Sequence, residues 1–210
     1  LRRAARSLAH GDINAAELAV FAARISAPEH PESLRLAAAV LLRQQRLAEA
    51  ADCLRRALAL LPDDIEMLFD LAVAANDLAD HATALASLRR ASAATADAAA
   101  KLRLSQEFDR QGYQEDALAC AEAALEYSPK DVVALLQRGR CLHALGRTAE
   151  ASAQFRAVLA LQPDSAAAWF SLLDHEWPAQ QRVFERWLAA DNFTEQGQQR
   201  QRLQDLREHG

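Results

Sequence analysis

The sequence predicts an all-α fold made of repeated antiparallel helix pairs. Three observations support this: strong helix formers dominate the composition, prolines recur at a fixed spacing, and alanine or glycine recurs at equivalent positions between them. The 210 residues are 51% hydrophobic but only 6% aromatic, so the core must consist of small aliphatic side chains. Ala, Leu, Arg, Gln and Glu favour helix, and the residues that favour strands are sparse.

Four prolines set the period of the repeat. Pro28, Pro62, Pro129 and Pro163 are separated by 34, 67 and 34 residues. Since 67 is two periods of 34 less one residue, a repeat without its proline ends near Ala96. Placing each proline at position 32 gives a truncated repeat, four full repeats and a divergent C-terminal part. These segments are 1–30, then 31–64, 65–97, 98–131 and 132–165, and finally 166–210.

Two further positions are occupied by small or turn-forming residues. Position 20, where the second helix of a pair passes closest to the first, is Ala16, Ala50, Ala84, Ala117 and Ala151. Position 15, the turn between the helices, is Gly11, Gln45, Ala79, Gly112 and Gly146. Close helix packing requires a small side chain, and glycine accepts the left-handed backbone that ends a helix.

These residues resemble the tetratricopeptide repeat (TPR) pattern, and segments 34–64 and 134–165 match it almost throughout. The resemblance implies a right-handed α-solenoid of antiparallel helix pairs. It also implies that the first helices line a concave groove, which binds a protein or a peptide.

Two places depart from the pattern. Lys101 occupies position 4 of the third repeat, where the other repeats have Leu or Trp, so we expect the first helix of that repeat to be the most mobile internal element. Pro178 lies where it should end the first helix of the divergent part, with a second helix over about 179–190. A polar last helix over about 194–208 is expected to cap the array.

The resemblance implies that positions 2, 5, 6, 9, 12 and 13 of each first helix face the groove. On this basis the predicted apolar anchors are Phe69, Leu102, Leu136 and Phe170, and the predicted polar selectors are Arg103, Arg110 and Arg140. Two alternatives stay open: the apolar residues pack between first helices, or the arginines pair with Asp70 and Asp77 of adjacent repeats. Chaperone-binding TPR domains hold a carboxylate in this groove, but only Arg103 fully matches their pattern, and Asp70 would repel a carboxylate.

Charge and motifs restrict the class of function. The formal net charge of -5 argues against a nucleic-acid partner, which requires a basic surface. Cys53, Cys120 and Cys141 lack metal-ligand spacing and are interpreted as small core residues. No apolar run is long enough to cross a bilayer. No catalytic or phosphate-binding motif appears, so we expect neither an enzyme nor a cofactor.

The sequence therefore predicts a protein-interaction scaffold. One alternative is that the chain is the substrate-positioning segment of a larger enzyme, because TPR arrays resemble the N-terminal parts of certain bacterial sulfotransferases and glycosyltransferases. Another is self-association through the truncated first repeat. The chain begins without Met, and its only Met is Met67, which suggests that the natural start is missing and leaves a removed signal peptide open. A cytoplasmic location is expected.

Overall fold

The computed structural model describes residues 2–189, and every regular element among them is an α-helix. The chain forms two compact units, Leu1–Pro129 and Lys130–Gly210. Helices that are consecutive in sequence pack as pairs within each unit. The predicted all-α array of helix pairs is confirmed for this part of the chain.

The first unit contains four helix pairs. They are α1 (Arg2–Ala9) with α2 (Ile13–Ser26), α3 (Pro31–Arg43) with α4 (Leu47–Leu60), α5 (Ile65–Asp77) with α6 (His81–Ala94), and α7 (Ala98–Arg110) with α8 (Gln114–Tyr127). Each pair also packs on the next, through α2 with α3, α4 with α5 and α6 with α7.

The second unit contains one pair and a long helix. Helix α9 (Val132–Ala144) pairs with α10 (Thr148–Leu161), and α11 (Ala166–Leu188) packs mainly against α10. None of the helices that the structure describes is long and apolar enough to cross a membrane.

An aspartate caps the N-terminus of three first helices, α5, α7 and α9. The side chains of Asp64, Asp97 and Asp131 accept hydrogen bonds from backbone N–H groups two or three residues ahead, at 2.7 to 3.3 Å. An N-cap carboxylate satisfies a backbone donor that has no partner within the helix. The helices that follow begin at Ile65, Ala98 and Val132, which are also the predicted first positions of their repeats.

The turn between the two helices of each pair uses the left-handed backbone, as position 15 predicts. The residues with positive φ are Gly11, Gln45, Ala79, Gly112 and Gly146, with φ between 61° and 84°. Glycine adopts this conformation freely, whereas Gln45 and Ala79 carry a Cβ that strains it. The five alanines at position 20 are fully buried, which allows the paired helices to approach closely.

Lys101 supports the junction between α6 and α7. Its Nζ donates to the backbone carbonyl of Ser92 at 2.8 Å and lies 3.1 Å from Ser92 Oγ. The Ser92 carbonyl belongs to the last turn of α6, where a cation is favoured by the helix dipole. The loop 95–97 has three residues and no proline, whereas the other inter-repeat loops have four residues and contain a proline. The lysine therefore holds the end of α6 where the other repeats have a proline.

The expected helix break at Pro178 is wrong. Helix α11 runs without interruption from Ala166 to Leu188, so no separate second helix begins near residue 179. A proline inside a helix removes a single backbone hydrogen bond and bends the helix, but the helical turns on both sides of it persist. The predicted polar helix over 194–208 lies outside the described residues.

All three cysteines are buried, as expected for core residues. Burial raises the pKa of the Cys53 and Cys120 thiols, which keeps them protonated at neutral pH. An inert thiol of this kind behaves as a small apolar side chain.

Candidate functional site

The first helices of the first unit bring together several of the predicted groove residues. We call the surface formed by Glu66, Phe69 and Asp70 of α5 and by Leu102 and Arg103 of α7 the α5–α7 face. Its members occupy positions 2, 5 and 6 of consecutive repeats, so the repeat register places them side by side. Phe69, Asp70 and Leu102 are half-buried, whereas Glu66 and Arg103 are exposed.

Arg103 connects the two helices of this face. Its guanidinium forks onto the Glu66 carboxylate, with Nη1 to Oε1 at 2.6 Å and Nη2 to Oε2 at 3.3 Å. The hydrogen bond with Glu66 raises the pKa of Arg103 above its already high value. The guanidinium carbon also lies 4.8 Å from the centroid of the Phe69 ring. Such a cation–π contact contributes about 0.5–1 kcal/mol at an exposed site.

The arginine therefore holds the aromatic ring in place. The ion pair itself is worth at most about 1 kcal/mol because both charges are exposed. Its main effect is geometric, since Glu66 fixes the guanidinium and the guanidinium fixes one face of Phe69. A half-buried aromatic ring that is already ordered loses little entropy when a ligand packs on it.

Asp70 carries a negative charge that is only partly compensated. Among the residues that the structure describes, no donor forms a hydrogen bond with its carboxylate. Burial raises the pKa of Asp70, and the neighbouring Glu66 raises it further, while Arg35 and Arg103 oppose these effects. Both arginines are bonded to other carboxylates, Arg35 to Glu32 and Arg103 to Glu66. Asp70 can therefore accept a hydrogen bond from a ligand.

Arg110 has a partner within its own helix. Its Nη2 donates to Glu107 Oε1 at 2.6 Å, and Gln111 Nε2 donates to the same oxygen at 2.6 Å. Glu107 is only 7% exposed, so this network compensates a buried carboxylate. Arg110 thus bonds to Glu107 rather than to Asp77, and Arg103 bonds to Glu66 rather than to Asp70.

Glu66 and Glu107 are not among the partners predicted for the arginines, because those were sought only at positions 6 and 13 of adjacent repeats. Glu66 is at position 2, one turn before Asp70, and an arginine at position 6 of the next repeat reaches it equally well. Glu107 lies three residues before Arg110, a spacing that brings side chains together on a helix. Both spacings are visible in the sequence.

The remaining predicted groove residues belong to the second unit. Leu136 on α9 is half-buried, and Arg140 on the same helix is exposed and donates to the side-chain oxygen of Gln137. Phe170 on α11 is 78% exposed, and Trp169 beside it donates from Nε1 to the Pro163 carbonyl at 2.8 Å. Phe170 is therefore available to contact another molecule.

The fold and its repeat register define the class of protein: an array of helix pairs with an ordered side-chain face on its first helices. Two sequence profiles of the tetratricopeptide repeat family match the chain, over residues 31–74 and 113–175, and together they span just over half of it. The chain belongs to the tetratricopeptide repeat family. Membership implies a protein-interaction scaffold and gives no indication of catalysis. No curated protein matches the chain in sequence.

Solved structures support the same fold. MamA is 20% identical with a TM-score of 0.64, and the match covers 79% of this chain and 91% of MamA. YrrB, a TPR protein with an unusual peptide-binding site, is 21% identical with a TM-score of 0.60, covering 78% and 85%. A TPR protein from Parabacteroides merdae is 18% identical with a TM-score of 0.68, covering 87% and 77%. At these identities the likeness concerns the fold alone.

Proposed function

We propose that the chain binds a peptide segment of a protein partner on the α5–α7 face, with Phe69 and Leu102 as apolar anchors. The observation that carries this proposal is the contact between Arg103 and Phe69, which orders a half-buried aromatic ring on the first helices. Apolar anchors on successive repeats suit an extended or helical peptide. Arg103 acts by holding Phe69, and Arg110 acts by neutralising Glu107. Neither arginine is therefore the main group that pairs with carboxylates of the partner.

The charge of the face favours a basic peptide. Asp70 follows Phe69 directly, and no cation among the described residues is bonded to it, so a lysine or arginine of the peptide can pair with its carboxylate. An acidic peptide would instead be repelled by Asp70, because the positive charge of Arg103 is already paired with Glu66. The peptide that fits best therefore has an apolar side chain with a basic one near it.

Leu136, Arg140 and Phe170 are proposed as a second contact surface for the same partner. The support is the 78% exposure of the Phe170 side chain together with an exposed apolar neighbour on α11, because adjoining exposed apolar groups are typical of interaction sites. Leu173, three residues further along α11, is 57% exposed. This second surface is testable separately from the α5–α7 face.

A random 12-residue peptide library displayed on phage, selected on the full chain, tests the proposal. Affinities of the enriched peptides are then measured with Phe69→Ala and Leu102→Ala. Leu85→Ala is the matched control because Leu85 is also a half-buried leucine, but on the second helix α6. We expect each anchor variant to weaken binding by about tenfold and the control by less than about twofold. Equal affinities for all three variants would overturn the proposal.

The same peptides test the second surface. Phe170→Ala weakens binding about fivefold or more if α11 contributes, while the α5–α7 variants keep their own effect. An unchanged affinity for Phe170→Ala removes the second surface from the proposal and leaves the first in place.

A further inference from the structure

The outer face of α2 carries an apolar stripe that does not belong to the α5–α7 face. Leu18, Phe21 and Ile25 are 71%, 66% and 70% exposed. Their spacing of three and four residues places them on one side of the helix. We call these three residues the α2 stripe. A contiguous group of large apolar side chains at this exposure is typical of an interaction surface.

The equivalent positions of the other second helices differ in composition. The α2 stripe occupies positions 22, 25 and 29. The same positions are Asp52, Arg55 and Ala59 on α4, Ala86, Arg89 and Ala93 on α6, Ala119, Glu122 and Glu126 on α8, and Ala153, Arg156 and Ala160 on α10. All twelve are exposed, and all are charged or alanine. Packing within a repeat therefore does not require large apolar residues here, and α2 must have them for another reason.

An open hollow adjoins the stripe. A cavity of about 800 Å³ lies between α2, α3 and α4, with Phe21 and Ile25 at its edge. Val40 and Leu41 of α3 contribute apolar groups to its lining. Side chains of a second molecule that packs on the stripe would have room to enter this hollow, which increases the apolar area that the contact can bury.

Two charges of opposite sign flank the stripe. Glu17 and Arg24, seven residues apart, line the same cavity. Among the described residues Arg24 has no ion-pair partner, and Glu17 accepts one hydrogen bond, from Gln44 Nε2 at 2.9 Å. The other two arginines of the cavity are paired, Arg46 with Glu49 and Arg56 with Glu29. Glu17 and Arg24 therefore remain available to an incoming molecule.

This pattern is complementary to itself. In an antiparallel pair of α2 helices, residues whose numbers add up to about the same sum lie opposite each other. A pairing centred at Phe21 places Leu18 opposite Ile25, and in the same arrangement Glu17 lies near Arg24. A two-fold contact repeats each interaction twice, so one apolar stripe and one pair of charges are sufficient for both sides.

We propose that α2 is the interface of a homodimer, in which two copies of the chain pack their α2 stripes against each other in antiparallel orientation. The interface buries Phe21 at its centre and pairs Glu17 of each copy with Arg24 of the other. The proposal is independent of the peptide-binding function, because it uses none of the residues of the α5–α7 face.

Sedimentation velocity of the full chain over about 1 to 100 μM tests the proposal. The wild type should sediment as a dimer at the upper end of this range. Leu18→Asp should raise the dimer dissociation constant at least about tenfold, because it places two carboxylates in the apolar contact. Ala86→Asp makes the same charge change at the equivalent position of α6 and should leave the constant unchanged. A wild type that stays monomeric, or equal effects of the two variants, would overturn the proposal.

Charge reversal tests the antiparallel arrangement without adding charge to the stripe. Glu17→Arg and Arg24→Glu should each weaken the dimer, since each places like charges near each other. The double variant Glu17→Arg/Arg24→Glu restores opposite charges and should recover most of the affinity. Failure of the double variant to recover would contradict the antiparallel pairing, and circular dichroism checks that each variant keeps its helical content.

Discussion

A Cβ atom on Gly139 would lie 2.5 Å from Cε1 of the Phe155 ring. Gly139 is on α9 and Phe155 is on α10, and both are buried. In the repeat 31–64 the same two positions are Ala38 and Leu54. Compared with that repeat, the repeat 132–165 lacks the methyl group on its first helix and has a larger side chain, the Phe155 ring, on its second helix. The two differences compensate each other in volume.

The first prediction concerns this pair. Gly139→Ala gains about 1 kcal/mol of helix propensity but must displace a fully buried ring, which costs about 1–3 kcal/mol. We expect a net loss of up to about 2 kcal/mol in the free energy of unfolding, measured by urea denaturation. With Phe155→Leu already present, the same substitution should stabilise the protein, because the ring is gone. Identical effects in the two backgrounds would show that the two residues are not coupled.

Ala79 has a φ of 61°, so its Cβ is strained in the turn between α5 and α6. Ala79→Gly should raise the free energy of unfolding by about 0.5–1 kcal/mol, because glycine accepts this backbone without strain. Ala86→Gly, in the interior of α6, is the control and should lower stability by about 1 kcal/mol. If both substitutions destabilise the protein equally, the turn is not strained.

Lys101 binds the end of α6 through the Ser92 carbonyl. Lys101→Met should lower the free energy of unfolding by about 1 kcal/mol, because a hydrogen bond from a charged donor is lost. Lys130→Met removes the only other lysine, which is exposed, and should change stability by less than about 0.5 kcal/mol. An equal loss in both variants would contradict the tether.

Helix α7 is expected to exchange its amide hydrogens faster than α3 or α5. It buries two large apolar side chains, Leu104 and Phe108, and its other buried residues are Ser105 and Glu107. Fewer buried apolar contacts lower the local free energy of opening. Mass spectrometry of hydrogen exchange measures this directly, and uniformly slow exchange in α7 would contradict the prediction.

Asp70 links stability to pH. Burial raises its pKa in the folded state, so the folded protein binds this proton more tightly than the unfolded chain. The resulting stabilisation is present at low pH and is lost as pH rises through the folded-state pKa. Asp70→Asn should therefore raise the melting temperature at pH 7 and have a smaller effect near pH 4. Asp77→Asn, an exposed site on the same helix, is the control, and a gain that does not depend on pH would contradict the assignment.

The repeat register was predictable from the sequence because its signals are local. A buried alanine at a helix crossing and a glycine at a left-handed turn are each required by one backbone position, so Ala84 and Gly112 indicate their roles locally. The partner of Arg103 was not predictable in the same way, since several carboxylates on α5 lie within reach of a long side chain. Its choice depends on the geometry of two helices.

The helix break expected at Pro178 was wrong, and the role of Lys101 was not predicted. Pro178 was interpreted as a helix end because proline usually stops a helix, but the sequence of α11 favours helix on both sides of it. At Lys101 a charge at position 4 breaks the apolar pattern, and the mobility expected of its helix stays a prediction. The structure shows that its ammonium bonds to a helix end, an interaction that a comparison of apolar positions does not consider.

The most direct test of the proposed function is to map a bound peptide by NMR. Backbone amide shifts of the full chain are recorded during titration with the tightest peptide from the library selection. The proposal predicts that the largest changes occur at Phe69, Asp70, Leu102 and Arg103, and that Leu102→Ala needs about tenfold more peptide to reach them. Changes confined to the second helices, with none on α5 and α7, would contradict it.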